Sequence, residues 1–205
     1  MKQFIIIALL SITICRSNAQ QKTNPMLTNA ERQKAVELLK QTEDGVVDAV
    51  KGLSEAQLNY KPAADRWSLA ECVKHIAIAE SELWAMAEPS LTQPPNPEKR
   101  GEIKFSDDDL IKAVEDRTQK SKTFAALEPA NTPYNSVKEA ITAFRTRREK
   151  LIAFVKNTQT DLRSHVLLLP VGSYDVYQFI LLIAAHSNRH TQQIEEVKAD
   201  PNFPK

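Results

Sequence analysis

The chain has 205 residues, with 27 basic against 26 acidic side chains and 42% hydrophobic residues. A charge balance this close to zero provides no electrostatic footprint for a polyanion, which sets nucleic acid aside as a partner. Of the two cysteines one lies in an N-terminal apolar run, so the remainder of the chain holds no pair for an internal disulfide.

Lys2, the apolar run from Phe4 to Cys15, and then Ser17, Asn18 and Ala19 have the layout of a secretory signal peptide with small residues before the cut. The run is too short to span a bilayer as a permanent helix. The expectation is therefore a signal peptide over residues 1–19 and an exported protein, periplasmic or secreted, with one domain over 20–205. Its 186 residues suffice for a single core. Cys15 offers a lipoprotein alternative, but Ile14 stands where a small residue precedes a lipidated cysteine, so soluble export is preferred. No later apolar stretch reaches spanning length, and the mature chain is expected to have no membrane partner.

Only four glycines occur, and strand-like alternation is scarce; the composition predicts helices. Thr28 and Glu31 form a capping-box pattern, opening a first helix to about Lys51 with Ala35, Leu39, Val46, Val50 and Leu53 near one face and Gly52 at its end. Pro62 punctuates the connection to Trp67. Ser68 and Glu71 form a second box, opening a second helix from Ser68 to about Ala87. Pro89, Pro94, Pro95 and Pro97 forbid regular helix in the linker that follows. Ser106 with Asp107, Asp108 and Asp109 predicts a further helix to about Leu127, peripheral because its apolar stripe is thin. After Pro129 and Pro133, Ser136 and Glu139 form a third box, opening a helix to about Asn157 with Ile141, Phe144, Leu151, Ile152 and Val155 available for burial. Ser173 is expected to cap the last helix, which runs to about Ala199 and stops at Pro201. Its segment from Phe179 to Ala185 is apolar all round and should be the most enclosed.

These elements predict an all-α fold: a four-helix bundle whose long crossover, between the second and third main helices, carries an extra peripheral helix. An irregular all-helical domain is the alternative.

On the last helix, at roughly 100° per residue, Val176, Phe179, Ile180, Ile183, His186, His190, Ile194 and Val197 share one arc. Two imidazoles inside an apolar seam must be satisfied, since each unpaired buried polar group costs on the order of 1–3 kcal/mol. Four residues apart, His186 and His190 can present two nitrogens to one ion. A polar network is the competing answer. His75, on the second helix near Cys72, Ala79 and Met86, is the candidate third ligand. Three neutral imidazoles would leave a coordination position open for water or substrate. The segment from His186 to His190 lacks the glutamate of the HExxH pattern, so the motif has no built-in general base.

Gln193 and Glu71 are candidates to orient a ligand, with Glu71 already explained as a cap and Glu82 either a partner or solvated surface. Cys72 is either a fourth ligand or a small buried hydrophobe. His165 falls in a leucine-rich loop and is read as a packing or surface residue, not a ligand. Trp67 is expected to lock its loop to the bundle, while Trp84, Tyr60, Tyr134, Tyr174 and Tyr177 line either core or pocket.

The stretch from Pro62 through Trp67, Ser68, Glu71 and His75 to Ile76, together with His186, His190 and Gln193, resembles the two signatures of the DinB-like superfamily of four-helix bundles. The likeness covers nearly all of the mature chain. It implies a divalent metal held by His75, His186 and His190, nickel or zinc in different relatives; with imidazole ligands alone, zinc is the default and nickel comes next. It also implies a small-molecule substrate or ligand: some relatives are thiol-dependent transferases or isomerases, others are proposed hydrolases. The expectation is a metal-dependent hydrolase or group (thiol) transferase, with a non-catalytic metal-dependent binding protein as the alternative. Bundles of this size commonly pair through a helix face, which leaves a homodimer open.

Overall fold

The computed structural model describes residues 26–118, 123–170 and 172–205. The expected signal peptide lies outside the described residues. Six helices and one hairpin follow in order: α1 (Asn29–Val50), α2 (Glu55–Leu58), α3 (Leu69–Ala87), α4 (Asp107–Glu115), α5 (Val137–Asn157), β1 (Val166–Leu169), β2 (Gly172–Asp175) and α6 (Val176–Lys198). Helix α1 packs on α5 and α6, and α3 packs on the same two, so the order around the bundle is α1, α5, α3, α6. Among the described residues no helix is long and apolar enough to cross a membrane.

Capping chemistry starts the helices where the sequence places them. Thr28 accepts from the Glu31 amide while the Glu31 carboxylate accepts from the Thr28 amide, and Ser68 and Glu71 reproduce the arrangement on α3. On α5 the box is half formed: Ser136 Oγ accepts from the Glu139 amide, but the Glu139 carboxylate reaches past it to the Asn135 amide. The unforeseen α2 is a single turn capped by Ser54 and Gln57.

Three expectations change. Helix α4 ends at Glu115, well short of Leu127, because Asp116 turns extended and its carboxylate binds the Thr118 amide and hydroxyl; Leu127 closes a separate 3-10 turn. The helix is also less peripheral than expected. It packs along α6, with Leu110 buried and Ile111 and Val114 against the core. Finally, Ser173 lies inside β2, and the cap of α6 is Asp175, which accepts from the Gln178 amide at 2.8 Å. The hairpin positions that cap: Val166 pairs with Asp175 and Leu169 with Gly172, whose φ of 135° admits no ordinary side chain. Arg163 then ties Asp175, Glu31 and Asp107 together, joining the starts of α6, α1 and α4.

The core is divided by a polar layer. One apolar half contains Leu39, Leu151, Ile152, Phe179 and Ile183; the other contains Val46, Val73, Ile76, Phe144 and Ile194. Between them lie Thr42 of α1, Glu80 of α3, Arg148 of α5 and Ser187 of α6, all buried. Arg148 Nε and Nη2 donate to the two Glu80 carboxylate oxygens at 2.7 Å each. Nη1 donates to the Leu39 carbonyl (2.8 Å) and Thr42 Oγ1 (2.7 Å), and Nη2 also to Ser187 Oγ (2.8 Å). A guanidinium has five N–H donors, and all five are used. That is the condition under which a buried charge is tolerated.

Candidate metal centre

Helix α3 carries His75 and α6 carries His186 and His190, and because these helices are neighbours the three rings meet. Ring centroids lie 5.1 Å apart for His75 and His186, 4.4 Å for His75 and His190, and 4.7 Å for His186 and His190. One ring nitrogen from each falls within 4.8 Å of the other two. His75 and His190 are buried, and His186 is half-buried at the edge of a cavity.

The outer nitrogens are pinned by neighbours. His75 Nδ1 lies 2.7 Å from the Leu127 carbonyl, which only accepts, so the proton is on Nδ1 and Nε2 presents its lone pair to the trio. His190 Nδ1 donates to Gln193 Oε1 at 3.0 Å, which fixes its Nε2 in the same manner. His75 Nε2 and His186 Nε2 are 3.3 Å apart. Two nitrogens each about 2.05 Å from a tetrahedral zinc stand about 3.3–3.4 Å apart, so the spacing fits a shared ion. Burial lowers the pKa of all three imidazoles, His186 to about 3 and His190 well below its ordinary value, with the neighbouring histidines adding to the effect on these two. Neutral imidazole is the form that ligates.

The other residues between the two α6 histidines and just beyond them hold the helix in place. Ser187 faces inward to Arg148, Asn188 donates to Glu115 Oε1 (2.8 Å), and Arg189 donates to the carbonyls of Val114 and Asp116. Gln192 reaches the Glu115 carbonyl at 3.3 Å. The end of α4 is thereby fastened to the ligand-bearing turn of α6. Gln193 Oε1 also receives Arg117 Nη1 at 3.4 Å, and Arg117 forms a fork with Glu196.

Trp67 does more than fasten its loop. Its ring lies 4.9 Å from that of His75 and stacks on His190 at 5.8 Å with an interplanar angle of 22°, forming one wall of the site. A cavity of about 1020 Å³ opens in front of the trio, bounded by Trp67, Leu83, Val114, Phe124, Leu127 and Leu182, with Arg66, Arg117 and Arg189 among its polar groups. A volume of this order accommodates a small organic molecule.

Glu71 belongs to the α3 cap and pairs with Lys61 at 2.9 Å, and Glu82 is exposed. Cys72 is fully buried among apolar residues, its thiol pushed up to about 12 by burial, and it stands outside the cluster of ligand atoms. His165 is also buried, with Nδ1 on the Ser90 carbonyl at 2.9 Å. Trp84 packs on Phe154, Tyr174 on Phe179 and Tyr177 beneath Arg163; Tyr134 hydrogen-bonds Arg147 and Tyr60 reaches Asp200. Sequence reasoning missed Arg148, Glu80 and the Leu127 carbonyl. The first two leave a trace: Arg148 falls four residues from Phe144 and from Ile152, and Glu80 four from Ile76, so both interrupt apolar stripes. A backbone acceptor leaves none.

The DinB superfamily model matches residues 38–194. YuaE of Bacillus subtilis strain 168, an uncharacterised protein, is 29% identical over 150 residues, spanning 73% of this chain and 88% of its own. Among solved structures, YfiT from Bacillus subtilis, reported as a probable metal-dependent hydrolase with an unusual four-helix bundle topology, matches with a TM-score of 0.56. The match covers 84% of this chain and 88% of that chain at 15% identity, which is a likeness of fold.

Proposed function

The chain belongs to the DinB superfamily, and from that premise we propose that His75, His186 and His190 hold a divalent cation, zinc before nickel, at which a small molecule is hydrolysed. The observation that carries this reading is the pinning of His75 and His190 through Nδ1, which leaves their Nε2 lone pairs free for an ion shared with His186, where one nitrogen of each ring lies within 4.8 Å of the others beside a cavity open to ligand. The hydrolase named for the fold neighbour YfiT is in keeping with it. Bound there, such an ion supplies a Lewis acid that polarises a carbonyl and lowers the pKa of water.

The chain's own residues orient and enclose. Leu127 and Gln193 fix the tautomers of His75 and His190, and Trp67 stacks on His190, lies tilted against His75 and shields both from solvent on that side. Leu83, Leu182 and Phe124 offer apolar surface to the body of a substrate. The apolar leader pattern before Ala19 supports action outside the cytoplasm.

A second reading, a metal-dependent binding protein without turnover, is favoured by one observation: among the described residues no carboxylate joins the histidine cluster to serve as base. The test is a screen of the metal-loaded protein against ester, amide and thiol-transfer substrates, with His190→Ala as control. Turnover abolished by that substitution supports the hydrolase; turnover that survives it is unconnected with this site. Ligand binding without turnover across the screen favours the second reading.

A further inference from the structure

We infer that Arg148 is a positioning residue for the histidine trio: through Glu80 and Ser187 it fixes the spacing of α3 and α6 and the rotation of α6, and so sets the geometry in which His75, His186 and His190 meet. The inference rests on the metal reading above. Both ligand-bearing helices carry a member of the polar layer. Ser187 follows His186 directly and points to the bundle interior while His186 faces the cavity. Glu80 lies five residues beyond His75, about 140° around α3, and also points inward.

A planar fork on Glu80 and a further N–H on Ser187 make the guanidinium a gauge between the two helices. Its Nη1 bonds to Leu39 and Thr42 reference that gauge to α1, and its own backbone references it to α5. The tolerance at the trio is small. A ring nitrogen on α6 lies roughly 6 Å from the helix axis, so a rotation of about 10° moves it by about 1 Å. Ligand distances must hold to about 0.2 Å. Apolar packing alone tolerates such a rotation more readily than it is tolerated by the directional bond to Ser187 from a guanidinium whose other four bonds hold it to α3 and α1. The ring contacts with Trp67 and the Gln193 bond fix the orientation of His190, and Asn188, Arg189 and Gln192 fasten α6 to the end of α4, whereas the Arg148 bonds join α6 to α3, which carries His75.

Two variants test this in the full-length protein. Ser187→Ala removes the acceptor on α6 and leaves the ion pair with Glu80. Glu80→Leu combined with Arg148→Met removes the gauge without stranding a charge. For each, zinc affinity is measured by chelator competition, Co²⁺ absorption bands report ligand geometry, and far-UV circular dichroism reports the fold. The expected result is native helicity with zinc affinity about tenfold to a hundredfold weaker and altered Co²⁺ bands. Wild-type affinity and wild-type Co²⁺ bands in both folded variants would overturn the inference while leaving the metal reading intact. Failure of the unaltered protein to bind zinc or Co²⁺ would overturn both.

Discussion

Replacing Glu80 with alanine isolates the energetics of the polar layer. The carboxylate is 2% exposed and its partner Arg148 is 0% exposed, so the substitution leaves a guanidinium in the core with two of its five donors unmatched. Removing one partner of a buried pair costs about 3–5 kcal/mol. For a chain of this size each kcal/mol lowers Tm by roughly 2–4 °C, giving a loss of about 6–20 °C. Glu80→Leu with Arg148→Met should instead fall within about 1 kcal/mol of the unaltered protein or exceed it. Thr42 Oγ1 still reaches the Leu38 carbonyl and Ser187 Oγ that of Ile183, so the double variant strands neither hydroxyl. Guanidinium denaturation of metal-free protein, followed by circular dichroism, measures all three. A loss below about 1 kcal/mol for Glu80→Ala would refute the reasoning, since it would mean that the layer is hydrated in solution and the pair is not buried.

Burial holds the folded pKa of the three histidines below their ordinary 6.5, so metal-free protein keeps full stability above that pH and loses it as the pH falls. His186→Gln removes one of these buried titrating groups and the charge it would place beside His190, so it should flatten the fall in stability below pH 6.5; parallel profiles would contradict it. Gln193→Leu deprives His190 Nδ1 of its acceptor and should weaken zinc binding about tenfold to a hundredfold while the stranded buried N–H lowers metal-free stability by on the order of 1–3 kcal/mol, with equal affinity as the refuting result. Gly172→Ala brings a Cβ to 2.8 Å from the Tyr174 hydroxyl at a positive φ and should cost on the order of 1–3 kcal/mol in thermal unfolding; a neutral outcome would show that the hairpin rearranges freely.

The four long helices were legible because their signals are local: Thr28, Ser68 and Ser136 begin α1, α3 and α5 by capping, and apolar spacing marks the buried faces. The hairpin was not, since Val166 to Leu169 reads as a short apolar run and its partner strand contains Gly172 and Asp175, residues that ordinarily break strands. The cap on α6 moved from Ser173 to Asp175 for that reason. The sequence reads α4 as longer than it is because residues 116–127 hold no proline or glycine to mark a stop, and only the Asp116 turn onto Thr118 ends the helix. In the site, three histidines and Gln193 were visible as spacing on helix faces. The partner of His75 is a main-chain carbonyl of Leu127, supplied by tertiary folding of the crossover, and main-chain groups have no sequence signature. Trp67 was visible as an anchor but not as a wall on the rings, because its loop follows no helical period.

If His75, His186 and His190 share one divalent cation with a position left open for ligand, metal content decides the matter. Elemental analysis of protein purified without a histidine tag, beside His186→Ala, should find close to one zinc or nickel per chain in the unaltered protein and far less in the variant. Equal metal content in both, or none in either, rules the shared site out.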